Sequence, residues 1–389
     1  MQKRKAGIAA LGAVSLMVTG GLMSVGTVMA QDDLSDCQIG VSWNNFQQPR
    51  WAATDKPSMF KTIEDGGATL LPDFDANLDT LQQITDVNTL IEQGADVLVL
   101  LAQDTKAIGP AVQAAKDNNI PVIAYDRLIE DPGVLYVTFD NQGVGVAEAE
   151  AIMAKVPEGN YVVIKGDKGD PNAAIFLRAG YDVAGLQEAV DAGTITILDE
   201  QFIPGWATDK AQDTMEAIID KANADGVTID AVLAENDSTA LGVVAALVAK
   251  AYDPYPPVSG QDGDPANLPN VAKGLQYVDV WKNSNELGKM AGSAALQLCE
   301  GKTFDQITVP EGLDPTVATM PAGSYASDFT SPGLDSKPDT GDENVIKSFI
   351  FTPTPITAEN LNLVLEGNWI AKDKLCAGVD AASAPAACQ

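Results

Sequence analysis

The chain has 389 residues, 46% hydrophobic and 20% charged, enough to bury the cores of about two to three domains. Acidic residues outnumber basic ones 54 to 24, a formal net charge of −30, which excludes nucleic acid and anionic membrane surfaces as natural partners. Histidine is absent, which also excludes a Ser-His-Asp triad, histidine acid–base catalysis and histidine-ligated metal sites.

The first 30 residues read as a cleavable export signal. Lys3, Arg4 and Lys5 form a basic start, Ala6 to Met23 is apolar, and Val28-Met29-Ala30 supplies small residues before Gln31. No cysteine follows closely enough to suggest a lipid anchor, and no later segment is long and apolar enough to span a bilayer. The expected location is the periplasm or another extracytoplasmic space. There, Cys37, Cys299, Cys376 and Cys388 are expected as two disulfides rather than free thiols. Three pairings are open. Cys376 and Cys388 flank an Ala-rich tail and suit a local bridge, which leaves Cys37 for Cys299.

Apolar runs at Ile39–Trp43, Ala68–Pro72, Ala95–Ala102, Pro121–Tyr125 and Val134–Phe139 read as strands. Helical patterns at Trp51–Asp65, Leu78–Gln93 and Ile108–Asn119 lie between them. The alternation repeats. Strands are expected at Tyr161–Lys165, Thr194–Leu198, Asp230–Ala234 and Pro257–Ser259, and helices at Ala173–Ala192, Asp209–Ala224 and Thr239–Ala251. Continuous apolar strands between helices imply α/β architecture with doubly wound parallel sheets, divided by size into two domains. Pro310 to Asn344, rich in Pro, Gly, Ser and Asp, reads as a long irregular loop. Its acids lack the spacing of a calcium loop.

One junction recurs. Strands end in Asp126-Arg127, Asp140-Asn141, Asn236-Asp237 and Gln261-Asp262. Any one of these is explained by a helix N-cap. Four together point to a polar cleft beyond the carboxyl ends of the strands, where open α/β sheets bind ligands. Planar amides and carboxylates beside Arg127 match pairs of vicinal hydroxyls. Trp43, Phe46, Trp51 and Trp206 offer apolar faces for the C–H side of a sugar ring. No phosphate-binding glycine loop is present; "GVGVAE" (Gly143–Glu148) reads as a helix start.

The stretches "VIAYDRLI", "VTFDNQGVG", "VPEGNYVVIKG", "GDPNAAIFLRAG", "GWATDKA", "IDAVLAENDSTALG" and "VSGQDGD", with Arg50-Trp51 before them and "VWK" after them, carry a resemblance in order and spacing. The chain resembles the periplasmic sugar-binding proteins of ABC importers, above all those that take D-xylose, over nearly all of residues 31–389. The resemblance implies a type I periplasmic binding protein fold, two Rossmann-like lobes joined by a three-strand hinge. The lobes would comprise residues 31–140 with 279–306, and 141–278 with 307–389. It implies a non-enzymatic, monomeric carrier without a cofactor that hands a monosaccharide to the transmembrane subunits of a permease. The sugar is D-xylose first, with glucose, arabinose or ribose as alternatives. Carried over by position, the ligand set is Arg50, Trp51, Asp126, Arg127, Asp170, Asn172, Trp206, Asn236, Asp237, Asp262 and Lys282, with Trp206 stacked on the ring. Pro171 stands where the family usually has Asn, and "VSWNNF" is not its usual first strand.

Two other classes compete. A glycoside hydrolase would draw its two carboxylates from Asp126, Asp140, Asp237 and Asp262. A sugar-responsive regulator shares the fold by analogy but needs a basic N-terminal DNA-binding unit, where this chain has an export signal.

Overall fold

The computed structural model describes residues 33–321 and 345–389, apart from 171, 174, 177–179 and 181–182. The expected export signal and most of the expected 310–344 loop lie outside the described residues.

The first part alternates as the hydrophobic runs predict: β1 (Gln38–Trp43), α1 (Lys56–Asp65), β2 (Thr69–Leu70), β3 (Phe74–Asp75), α2 (Thr80–Glu92), β4 (Val97–Leu100), α3 (Gly109–Asp117), β5 (Val122–Tyr125) and β6 (Val134–Phe139). One wide helical turn, Trp51–Asp55, leads into α1. Every residue of β4, β5 and β6 is buried, because helices cover both faces of the sheet. On one face Met59 and Ile63 of α1 pack on Val41, Val99 and Ile123; on the other, Val87, Leu90 and Val112 pack on Leu98 and Leu100.

The second part begins with α4 (Asn141–Lys155) and continues through β7 (Gly159–Lys165), α5 (Leu186–Ala192), β8 (Ile195–Phe202), α6 (Thr208–Asp225), β9 (Ala231–Ala234), α7 (Asp237–Ala249), β10 (Gln261–Asp262), α8 (Leu268–Lys273) and β11 (Asp279–Trp281). Strands β8, β7 and β9 form one parallel sheet, in that order. A second small sheet holds β10, β11 and β14 (Thr354–Ile356). The expected strand Pro257–Ser259 forms only a single bridge, Val258 to Val232. The expected helix Ala173–Ala192 is broken at Gly185, whose left-handed φ of 83° restarts the chain as α5.

The last third divides differently from the expectation. Helix α9 (Ser284–Cys299) returns to the first sheet and packs Leu287 and Met290 against Met59 and Ile63. Residues 307–321 and 345–351, expected in the second lobe, stay with the first sheet. Strand β12 (Thr316–Pro321), inside the stretch expected to be irregular, pairs antiparallel with β13 (Val345–Phe351), and β13 lies parallel beside β6. The eight-stranded sheet therefore runs β12-β13-β6-β5-β4-β1-β2, with β3 also on β1. Burial of Ile346, Phe349 and Phe351 provides the physical reason, since β13 completes the core against β6. The chain crosses between sheets after β6, after β11 and between β13 and β14; the third crossing was expected soon after Cys299.

Both cysteine pairs are bonded, Cys37 to Cys299 and Cys376 to Cys388. The first ties the start of β1 to the end of α9 and the second closes the C-terminal tail. No helix among the described residues is long and apolar enough to cross a membrane.

Candidate ligand site

Arg50 sits at the start of the wide turn that follows β1, and is 2% exposed. The turn brings Asp55 back onto it: Asp55 accepts from Arg50 Nη2 at 2.8 Å and from Nε at 3.2 Å. The Tyr125 hydroxyl, at the end of β5, donates to Asp55 at 2.6 Å and locks the pair. The guanidinium then has two edges left. Its Nη2 lies 3.1 Å from Asp126 Oδ2 and its Nη1 3.0 Å from Asp262 Oδ1. Lys282, just past β11, reaches the same Asp262 oxygen at 2.9 Å. Arg127 pairs with Asp170 at 2.8 Å. Every one of these side chains is buried, so each charge needs the partner it has.

The cations also rest on rings. The Arg50 guanidinium lies 4.2 Å from the centre of Trp51, and the Lys282 ammonium 5.4 Å from Phe176 and 5.7 Å from Phe139. Trp206, in the short turn Pro204–Trp206 between β8 and α6, meets Phe176 edge-on at 6.4 Å. Its six-membered ring presses on Gly166, where a Cβ would come within 2.0 Å. Three residues of this cleft have left-handed backbones without being glycine: Trp206 (φ 57°), Asp126 (62°) and Asp262 (112°). Strain of that kind persists only where the surrounding structure over-determines it, and it gathers at binding sites.

Burial alone pulls the Arg50 guanidinium down, but Asp55, Asp126 and Asp262 outweigh it and hold the group well above its ordinary value. Burial pushes Asp126 up; Arg50, Lys282 and Arg127 more than reverse this, and Asp126 ends below the usual carboxylate range. Asp170 ends above that range, because burial exceeds the pull of Arg127. Several buried polar atoms on residues that line the cleft have no hydrogen-bond partner among the described residues: Asn172 Oδ1, Gln261 Oε1 and Trp206 Nε1. The arrangement presents fixed acceptors, fixed donors and aromatic faces around one small space.

Of the residues carried over from the resemblance, all but Asp237 line this space: Arg50, Trp51, Asp126, Arg127, Asp170, Asn172, Trp206, Asn236, Asp262 and Lys282. Asp237 is fully buried behind it, accepting from Gln276 and from the Asp264 amide. Asn236 has two tasks, lining the cleft and capping α7 through the Thr239 N–H at 2.9 Å. Asp140 has only the capping task. Its exposed side chain accepts from Gly143 at the start of α4, so this fourth strand end does not join the other three. Trp43 is buried in the first core, its N–H donated to Asp73. Gln48, Phe176 and Gln261 also line the cleft and were not in the expected set. Gln261 carried a signal, since it adjoins Asp262 at a strand end. Gln48, which accepts from Trp51 Nε1 at 2.6 Å, carried none.

Residues 39–303 match the family model described as a periplasmic binding protein domain. The D-xylose-binding periplasmic protein of Escherichia coli (strain K12) is 34% identical over 268 residues, 69% of this chain and 79% of that protein. The multiple sugar-binding periplasmic receptor ChvE of Rhizobium radiobacter is 28% identical over 316 residues, 76% of this chain and 81% of the receptor. Among solved structures, an ABC transporter solute-binding protein from Clostridium phytofermentans with bound β-D-glucose superposes with a TM-score of 0.72. It is 30% identical, covering 87% of this chain and 99% of its own. With the strand order and these relatives in agreement, the chain belongs to the periplasmic binding protein family.

Proposed function

We propose that this protein is the extracytoplasmic receptor of an ABC sugar importer, and that it captures one monosaccharide, D-xylose first, between its two lobes. One lobe is built on the eight-stranded sheet and the other on the two three-stranded sheets. The carrying observation is the set of unpartnered buried polar atoms, Asn172 Oδ1, Gln261 Oε1 and Trp206 Nε1, on residues that line the same space as the Arg50–Asp126–Asp262 ion pairs. Ring hydroxyls satisfy both donors and acceptors, and a missing hydroxyl leaves buried groups unpaired, which is the source of selectivity. Two relatives named for D-xylose, 34% and 32% identical, support that sugar. The glucose-bound neighbour makes D-glucose, the same pyranose with one more CH₂OH group, the competitor to measure against it.

Capture proceeds by closure at the three crossings, and the closed form docks to the permease as a monomer. The cleft performs no chemistry on the sugar. Asp126, Asp170 and Asp262 are each held by a guanidinium or ammonium group, and Asp140 and Asp237, candidates for a hydrolase, lie outside the cleft. Thermal unfolding with D-xylose, D-glucose, L-arabinose and D-ribose tests the reading: a ligand that binds only the folded state raises the midpoint. D-xylose is expected to raise it most, and a panel without any shift overturns the proposal.

A further inference from the structure

Asp237 and Asp279 are both fully buried, side by side behind the cleft. Asp237 Oδ2 accepts the backbone N–H of Asp264 at 2.7 Å, and Oδ1 accepts from Gln276 Nε2 at 3.0 Å. Asp279 Oδ1 accepts the backbone N–H of Gly263 at 3.0 Å. The two carboxyl groups thus hold the two consecutive amides that follow Asp262. Asp262 has a φ of 112°, and its Oδ1 serves both Arg50 and Lys282. The fit around the pair is close: a Cβ on Gly260 would come within 2.7 Å of Asp237 Oδ1.

We propose that Asp237 and Asp279 form a carboxyl–carboxylate clamp, two positioning residues that fix Asp262 for the sugar through the amides of Gly263 and Asp264. The proposal rests on the sugar-binding reading of the cleft. Both oxygens of Asp237 take N–H donors, whereas Asp279 Oδ2 takes none. One proton shared between Asp279 Oδ2 and Asp237 completes the pair; two bare carboxylates in contact would repel. Burial first favours the protonated form of both; at Asp279 the bonds to Asp237 and the Gly263 amide oppose it, and the neighbouring acids add to it. Asp262 and Asp264 face the pair from their own loop and Glu148 faces it from α4.

The test uses Asp279→Ala and Asp279→Asn in the full chain. Asparagine keeps both bonds, because its oxygen accepts from Gly263 and its amide donates to Asp237; alanine keeps neither. Two readouts are taken: calorimetric titration with D-xylose, and hydrogen exchange of the Gly263 and Asp264 amides without sugar. Asp279→Ala is expected to bind about tenfold or more weaker, the cost of buried groups left unpaired, with faster exchange at both amides. Asp279→Asn is expected to restore both readouts. A folded Asp279→Ala with unchanged affinity, unchanged exchange, or a change in only one of them overturns the clamp. So does an Asp279→Asn as impaired as the alanine variant. Failure of the wild-type protein to bind any sugar sinks the functional reading instead, and the exchange measurement then decides the clamp alone.

Discussion

Arg50 donates to Asp262 at 3.0 Å across 212 residues of sequence. The guanidinium comes from the turn after β1, in the eight-stranded half, and the carboxylate from β10, in the other half. Among the described residues this pair and Arg127–Asp170 at 2.8 Å both span the cleft, and the first does so from a guanidinium already anchored by Asp55 and Asp126.

Arg50→Ala leaves three buried carboxylates without their shared cation. Breaking a buried pair from one side costs about 3–5 kcal/mol, and that loss is expected in urea unfolding, together with loss of sugar binding. Arg50→Lys is not a rescue, because one ammonium cannot reach Asp55, Asp126 and Asp262 in the plane the guanidinium serves. A lysine variant of wild-type affinity would refute this role.

We propose that Trp206, which lines the cleft, contributes its face and its N–H to the sugar. Trp206→Ala is expected to weaken D-xylose binding by roughly 1–3 kcal/mol. Trp206→Phe, which keeps a ring but removes the unpartnered Nε1, is expected to lose about 1 kcal/mol and most of the sugar-induced change in tryptophan fluorescence. Full affinity in a folded Trp206→Ala would leave Trp51 as the aromatic platform.

The two disulfides should differ in weight. Cys37–Cys299 closes a separation of 262 residues and Cys376–Cys388 one of 12. In the chain-entropy treatment the longer loop stabilises by roughly 3 kcal/mol more. Urea unfolding of Cys37→Ser/Cys299→Ser against Cys376→Ser/Cys388→Ser measures the difference, and equal losses would contradict it.

Burial pushes the Asp279 carboxyl up to about 8 from an ordinary 3.8. Between those values the folded protein holds a proton that the unfolded chain has released. This contribution to stability is full below the unfolded value, falls as pH rises toward about 8, and is level above it. The stability difference between wild type and Asp279→Asn, followed by urea unfolding from about pH 5 to about pH 9, should therefore fall with rising pH. A difference that stays flat would mean that Asp279 is ionised throughout.

Much of the fold was legible because parallel strands buried on both faces write themselves as apolar runs: Val134–Phe139 is bounded as expected, and β1, β4 and β5 differ only at their ends. Strand β13 was not, because the Pro-, Gly- and Asp-rich residues before it hid a segment whose sheet position depends on contacts with β6, two hundred residues earlier in the chain. The strand-end rule found Asp126, Asn236 and Asp262, yet the same short polar side chains cap helices. Asp140 follows the rule in sequence and only caps α4, and Asp237, one residue beyond Asn236, turns away from the cleft. Phe176 and Gln48 reach the cleft through tertiary packing, which leaves no local pattern.

The most direct measurement is calorimetric titration of the oxidised protein with D-xylose, with D-glucose as competitor. Saturable one-to-one binding of unaltered sugar is expected, strongest for D-xylose, and severely weakened when Asp262→Asn removes the carboxylate that Arg50 and Lys282 share. Wild-type affinity in a folded Asp262→Asn, or no heat with any pentose or hexose, would contradict it.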